Sequence, residues 1–300
     1  SSGPRPTSPR HATPERLTPP RMRRAGILRL FQIWSGEKRI DEEVVRRARA
    51  FVEPLAVGSS ATKELENFLG LWRLDMVAQI FADYRTELPY SGFGTYVTMS
   101  GYLPRSLLVT LKNISVRAAW RGERPFEGAS PISVAAQTSA VRDASEWYFE
   151  DVRPMGELGV QCDHAVRRLG GLLHDVRYSD KPTEVSVTSF SSSLENIGDD
   201  TRRVIETCVS HRLLLEINQG RDARNGGELH RKFQIHPMLA PLFGLGFGRR
   251  GDLTLTSEEV SAIFDPGVNE KDFQSVAKRR VASMRAPFAV SGSEALFDLT

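Results

Sequence analysis

Arg105 stands at the start of an apolar helix. In the run SGYLPRSLLVTLKNI (Ser100–Ile114), a small glycine and a Pro–Arg pair come directly before the apolar stretch. Proline suits a first helical turn, where its missing N–H is not needed. The spacing therefore starts a helix at Pro104 and aims Arg105 back toward that helix's positive end. A local carboxylate beside Arg105 would give it a purely structural role. A second set of cations follows downstream. Arg221 and Arg224 sit in the glycine-rich stretch QGRDARNGGE, with His230, Arg231 and Lys232 just after it. Arg202, Arg203 and Arg212 lie on or beside the preceding helical stretch, and FGRRG adds Arg249 and Arg250. Flexible cationic tips suit phosphate or minor-groove contact. The same residues also fit a charged, soluble hairpin in a protein-contact module.

Other chemistries find weaker support. GSSATKE (Gly58–Glu64) lacks the second glycine that a phosphate loop has before its lysine, and no strand precedes it. It reads as a helix cap. Cys162 and His164, with Cys208 and His211, supply four soft ligands, but residues two apart on a helix point in different directions. Buried cysteines with surface histidines are the expectation. His174–Asp175 has no assignable serine or cysteine partner and there is no G-x-S-x-G, so no catalytic residues and no metal site are assigned.

These residues need elements to hold them. A segment with six prolines, residues 1–24, is expected to be disordered; it is basic, with six arginines against one glutamate. From residue 25 to 155 the apolar spacing is helical. GILRLFQIW aligns Ile27, Leu30, Phe31 and Trp34. KELENFLG is expected to end at Gly70, and LWRLDMVAQIF sets Leu71, Leu74, Val77 and Phe81 on one side. Residues 156–265 change character. A helix over about 158–173 leads to KPTEVSVTSFSSS, a strand or extended stretch. Asp199 or Asp200 then caps a helix with Val204, Ile205 and Cys208 inward. LLLEIN and LHRKFQIHP flank the glycine-rich tip as a β-hairpin. A helix followed directly by such a hairpin is the closing half of a winged helix. DLTLT suggests another short strand, and Thr256 and Glu259 a capping box. Residues 266–300 read as a helix and tail. The fold class is thus mainly α with a small β component: a helical bundle followed by a winged-helix domain with a hairpin wing.

Composition sets the outer bounds. An apolar fraction of 40% in 300 residues supports real cores, in one large or two modest domains. Two cysteines exclude a disulfide scaffold and fit a reducing cytoplasm. No apolar run approaches the roughly 18 residues of a membrane span, so no membrane partner is expected. A net charge of +3 permits nucleic acid without demanding it.

The stretch SGYLPRSLLVTL resembles the segment that opens a helix of the α-helical lid in AAA+ ATPases. KPTEVSVTSFSSS, HRKFQIHPMLAPLFGLGFGRRG and VASMRAPF resemble the C-terminal half of bacterial ATPases related to the origin recognition complex, the likeness covering roughly residues 85–290. In that family a P-loop core binds ATP and Mg²⁺, a helical lid closes over the nucleotide, and a winged helix often binds DNA. The arginine after G-x-x-P is the lid's second sensor and contacts the γ-phosphate. Gly101, Pro104 and Arg105 match that pattern, which would answer why a cation opens this helix. The resemblance implies a lid over 25–155, double-stranded DNA as partner, and ATP and Mg²⁺ only together with a core that these 300 residues do not contain. The chain also opens without an initiator methionine, and the expectation is a C-terminal portion of a longer protein. The alternative is a protein–protein module whose winged helix docks a partner or effector subunit, with self-association through the core.

Overall fold

The computed structural model describes residues 19–37, 41–56, 62–124, 130–151, 155–179, 187–221, 229–247, 251–282 and 284. The chain forms two compact units, which divide between Ile80 and Phe81. That division lies inside a helix.

The first unit is helical. It contains α1 (Pro19–Glu37), α2 (Glu42–Ala56) and most of α3 (Lys63–Asp83). The first six residues of helix α1, 19–24, fall inside the segment expected to be disordered. Pro19 and Pro20 open its first turn, where proline has no N–H to satisfy, and Met22 and Ala25 are already buried. Residues 1–18 lie outside the described residues. Leu30 and Phe31 of α1 pack with Val44 and Ala48 of α2. Ala25, Leu28 and Val52 pack with Leu65, Phe68, Trp72 and Met76 of α3. Arg29 bridges to Glu64 at 3.0 Å with its guanidinium 4.3 Å from the Phe51 ring centre.

Helix α3 does not stop at Gly70. A helical glycine costs about 1 kcal/mol, less than the burial of Phe68, Trp72 and Met76 that a continuous helix secures. The inward face is theirs, and Leu71 and Leu74 are exposed (49% and 62%).

The second unit, Phe81–Arg285, contains α4 (Phe93–Met99), α5 (Pro104–Trp120), α6 (Val134–Glu150), α7 (Glu157–Arg177), β1 (Ser189–Ser192), α8 (Asp199–Ser210), β2 (Leu214–Arg221) and β3 (Leu229–Ile235). A 3-10 segment (Pro237–Phe243), β4 (Leu253–Thr254), α9 (Ser257–Phe264) and α10 (Glu270–Ala282) complete it. This unit is mainly helical with one small mixed sheet, in the order β2-β3-β1-β4. Strand β3 pairs antiparallel with β2 and β1, and β1 pairs parallel with β4.

One core joins α7, α8, α9 and α10 to the sheet. Phe190 of β1 stacks on Phe233 of β3 at 5.2 Å and meets Phe264 of α9 at 5.7 Å. Phe273 and Ala277 of α10 belong to the same core. A second cluster, Tyr90, Tyr96, Met99, Ile114, Ala140, Val141, Ala144 and Met238, joins α4, α5, α6 and the 3-10 segment.

The local signals at helix ends divide. Thr256 and Glu259 form the expected capping box on α9: the Glu259 N–H donates to Thr256 Oγ1 (3.2 Å) and the Thr256 N–H to Glu259 Oε2 (2.9 Å). At α8 the N-cap is Gly198 instead of an aspartate. Asp199 and Asp200 occupy the first turn, where their charge meets the helix's positive end.

Candidate functional site

The site is built around the α4–α5 turn. Ser100 closes α4, and Gly101 and Tyr102 follow in left-handed conformations (φ 60° and 61°). Leu103 is extended, and Pro104 opens α5. Among the described residues no side chain caps the N-terminus of α5, whose N-cap is Leu103. Its first N–H groups face outward from the positive end of a 17-residue helix.

Gly101 is required by contact as well as by φ. A Cβ there would sit 2.9 Å from Nε2 of His236 and 3.3 Å from its Cε1. His236 precedes the 3-10 segment, and its Nδ1 accepts the Met238 N–H at 3.2 Å. Its ring stacks on Tyr148 at 4.7 Å and is buried. Burial, with Arg212 nearby, pulls the imidazole down to about 4. The neutral ring is therefore a fixed packing element between α6 and the α4–α5 turn.

Tyr148 carries the arrangement further. Its hydroxyl donates to the Arg212 carbonyl at 3.0 Å, and burial pushes the phenol up to about 12. Arg212 follows the end of α8. The Arg212 N–H donates to the Val209 carbonyl (3.0 Å) and the Leu213 N–H to that of Cys208 (2.8 Å), a Schellman-type ending. Arg212 thus takes the left-handed position usually given to glycine, with φ 57°.

Arg105 and Arg212 line one cleft of about 300 Å³. Its walls are Pro104 and Arg105 of α5, Trp147, Tyr148 and Asp151 from the end of α6, and His211 and Arg212 after α8. The Arg105 guanidinium lies 5.2 Å from the Trp147 ring centre. Among the described residues, neither arginine has a carboxylate partner. Among the described residues the cleft combines a helix N-terminus, two arginines without a carboxylate partner and an aromatic floor, with Asp151 as its one acid. The chemistry of such an arrangement is suited to an anion.

The other cations are distributed differently. Arg231 makes a bidentate pair with Glu216 of the facing strand (2.8 and 2.9 Å), which raises its pKa. Lys232 pairs with Asp252 at 2.7 Å. Arg202 donates to the Leu194 carbonyl at 3.2 Å, and Arg203 is exposed on α8. Arg221 ends β2 in register with Leu229. Its side chain, with Arg224, Arg249 and Arg250, lies outside the described residues.

The weaker candidates have structural surroundings. Cys162 and Cys208 are both buried between α7 and α8, and the Cys162 thiol together with burial drives that of Cys208 well up. His164 lines a different cavity from His211. Thr62 accepts the Leu65 N–H at 3.3 Å and so caps α3. His174 Nδ1 lies 2.8 Å from the Phe243 carbonyl, and its ring rests against Tyr178. Among the described residues no three His, Cys, Asp or Glu side chains converge on a possible metal position, and no helix is long and apolar enough to cross a membrane.

Sequence reasoning missed Trp147, Tyr148, Asp151 and His236 as parts of the site. Only His236 left a local trace, as the N-cap of a segment opened by Pro237.

Over residues 15–255 the chain matches the model of a family described as ORC-CDC6-like. No curated protein and no solved structure gives a significant match.

Proposed function

This chain belongs to the ORC-CDC6-like family and is AAA+ ATPase-related; from that premise we propose that it engages duplex DNA and couples that engagement to nucleotide state. In this reading α4, α5 and α6 act as a nucleotide-sensing lid, and α8 with the β2–β3 hairpin acts as a winged helix. The observation that carries it is Arg105. It follows Pro104 at an uncapped helix start and reaches an open cleft with no carboxylate partner among the described residues. That is the environment a γ-phosphate sensor needs. ATP and Mg²⁺ would be held by a phosphate-loop core. The cleft cations fit a phosphate, and among the described residues no carboxylate group fits the metal. Catalysis of phosphoryl transfer rests on positioning and charge stabilisation, of which one arginine supplies only part. The 300-residue chain is therefore expected to show no ATP turnover.

On the DNA side, Arg203 on α8, Arg221 and Arg224 at the hairpin, and Arg249 and Arg250 are the proposed phosphate contacts. Arg202 contributes from the same helix. Arg231 and Lys232 contribute less, because Glu216 and Asp252 already neutralise them. Fluorescence anisotropy with two unrelated duplexes over several salt concentrations tests this. Replacing both Arg221 and Arg224 by Ala should weaken both duplexes alike and reduce the salt slope by about 2, roughly one per lost phosphate contact. Absence of salt-dependent binding by the wild-type chain would refute the DNA reading.

One observation favours docking of a protein instead. Helix α5 exposes Leu108 (65%) and, at its far end, Trp120 (75%), and Tyr102 is exposed (78%) in the turn before it. A protein partner that binds there while duplex DNA does not would establish that alternative.

A further inference from the structure

The reading above uses Arg105 but not Arg212, which the sequence groups with the candidate DNA-binding cations. The cleft suggests a different role for the second arginine. We propose that Arg105 and Arg212 together form a two-armed clamp for a terminal phosphate, through which the phosphate is felt by the turn that feeds strand β2. The proposal rests on Arg105 as a phosphate-sensing residue and adds Arg212, Trp147 and Asp151 to the site.

Charge leads to it first. In the same unit Arg117 is paired with Asp143, Arg142 with Glu87, Arg167 with Asp163, Arg231 with Glu216 and Arg279 with Glu258. Arg105 and Arg212 come from elements about a hundred residues apart, line one concave cleft, and have no such partner among the described residues. Two like charges gathered in a cleft repel each other unless an anion joins them. Guanidinium forks match phosphate oxygens in paired hydrogen bonds. A cleft of about 300 Å³ admits a phosphoryl group and excludes the bulk of a duplex.

Rigidity supports the same assignment. The Trp147 ring lies beneath the Arg105 guanidinium, and the Tyr148 hydroxyl holds the Arg212 carbonyl. Arg212 occupies a position where glycine would be less strained (φ 57°). Asp151 opposes the anion from the same wall and so weakens the clamp. Arg212 is followed by Leu213, whose carbonyl accepts the His236 N–H at 2.9 Å, and then by β2. A phosphate bridging both arginines would hold the α5 start to the base of the hairpin.

Trp147 supplies the readout. Titrating the full chain with sodium pyrophosphate, against sodium chloride at equal ionic strength, should give a saturable change in tryptophan fluorescence, with a Kd on the order of 1 mM. Trp147→Phe should abolish the change. Arg105→Ala and Arg212→Gly should each weaken binding about 10-fold or more, one unpaired arm being lost in each case. Glycine suits the backbone at 212, so Arg212→Gly should keep or raise the melting temperature while losing the response. Asp151→Asn should tighten binding. A pyrophosphate response that survives Arg212→Gly overturns the clamp and leaves the Arg105 reading standing. One that survives Arg105→Ala but not Arg212→Gly overturns the Arg105 reading. No response, a response matched by chloride, or one produced by duplex DNA and not by pyrophosphate also overturns the clamp.

Discussion

Gly101→Ala sets a 2.9 Å contact between the new Cβ and His236 Nε2, roughly half an ångström inside ordinary van der Waals distance. The ring has little room to retreat. It is buried, stacked on Tyr148 at 4.7 Å, and bonded to the Met238 N–H at 3.2 Å. Alanine at φ 60° adds a left-handed penalty of about 1 kcal/mol. Crowding a packed core costs a further ~1–3 kcal/mol, so the expected loss is about 2–4 kcal/mol. In a unit of some 200 residues that lowers the melting temperature by roughly 4–16 °C. Thermal and urea unfolding followed by circular dichroism measure it, with two transitions if the units melt separately. His236→Ala removes the obstacle. In the double variant the Gly101→Ala penalty should shrink toward the backbone cost alone, leaving a coupling of ~1–2 kcal/mol. A loss below about 0.5 kcal/mol for Gly101→Ala, or strict additivity in the cycle, would refute the reasoning.

His236 gives a pH dependence of defined sign. Its folded pKa is about 4 against an ordinary 6.5, so between those values the unfolded chain binds a proton that the folded chain refuses. Stability is full above pH 6.5 and falls as the pH drops toward 4, by at most about 3 kcal/mol, and His236→Gln should flatten urea midpoints across that window. Thr256→Ala removes the α9 cap and should cost about 1 kcal/mol in equilibrium unfolding. Arg168, 10% exposed at its side chain, donates to the carbonyls of Ala262 (3.3 Å) and Val268 (2.7 Å). Arg168→Met leaves both without that donor and should cost ~1–3 kcal/mol, and an unchanged unfolding midpoint would show that water replaces it.

Short-range signals were legible in the sequence. Proline at the first turn fixed the start of α5 at Pro104, and the Thr256–Glu259 spacing fixed the cap of α9. Two apolar runs around a glycine-rich tip foretold β2 and β3. Each of these depends on residues within a few positions of one another, whose preferences survive in any fold. Contacts between distant segments were not legible in the same way. Gly70 has the look of a helix end, and only the burial of Phe68, Trp72 and Met76 against α1 and α2 carries α3 past it. Arg231 and Lys232 read as free cations until strand register brings Glu216 opposite and β4 brings Asp252 near. The sequence alone marked Gly101 and Arg105 as a turn and a cation. That the glycine admits His236, 135 positions later, and that Arg105 shares a cleft with Arg212, was decided by how α5, α6, α8 and the 3-10 segment pack. Side-chain partners across such distances are selected by the whole core's packing, which no local spacing encodes.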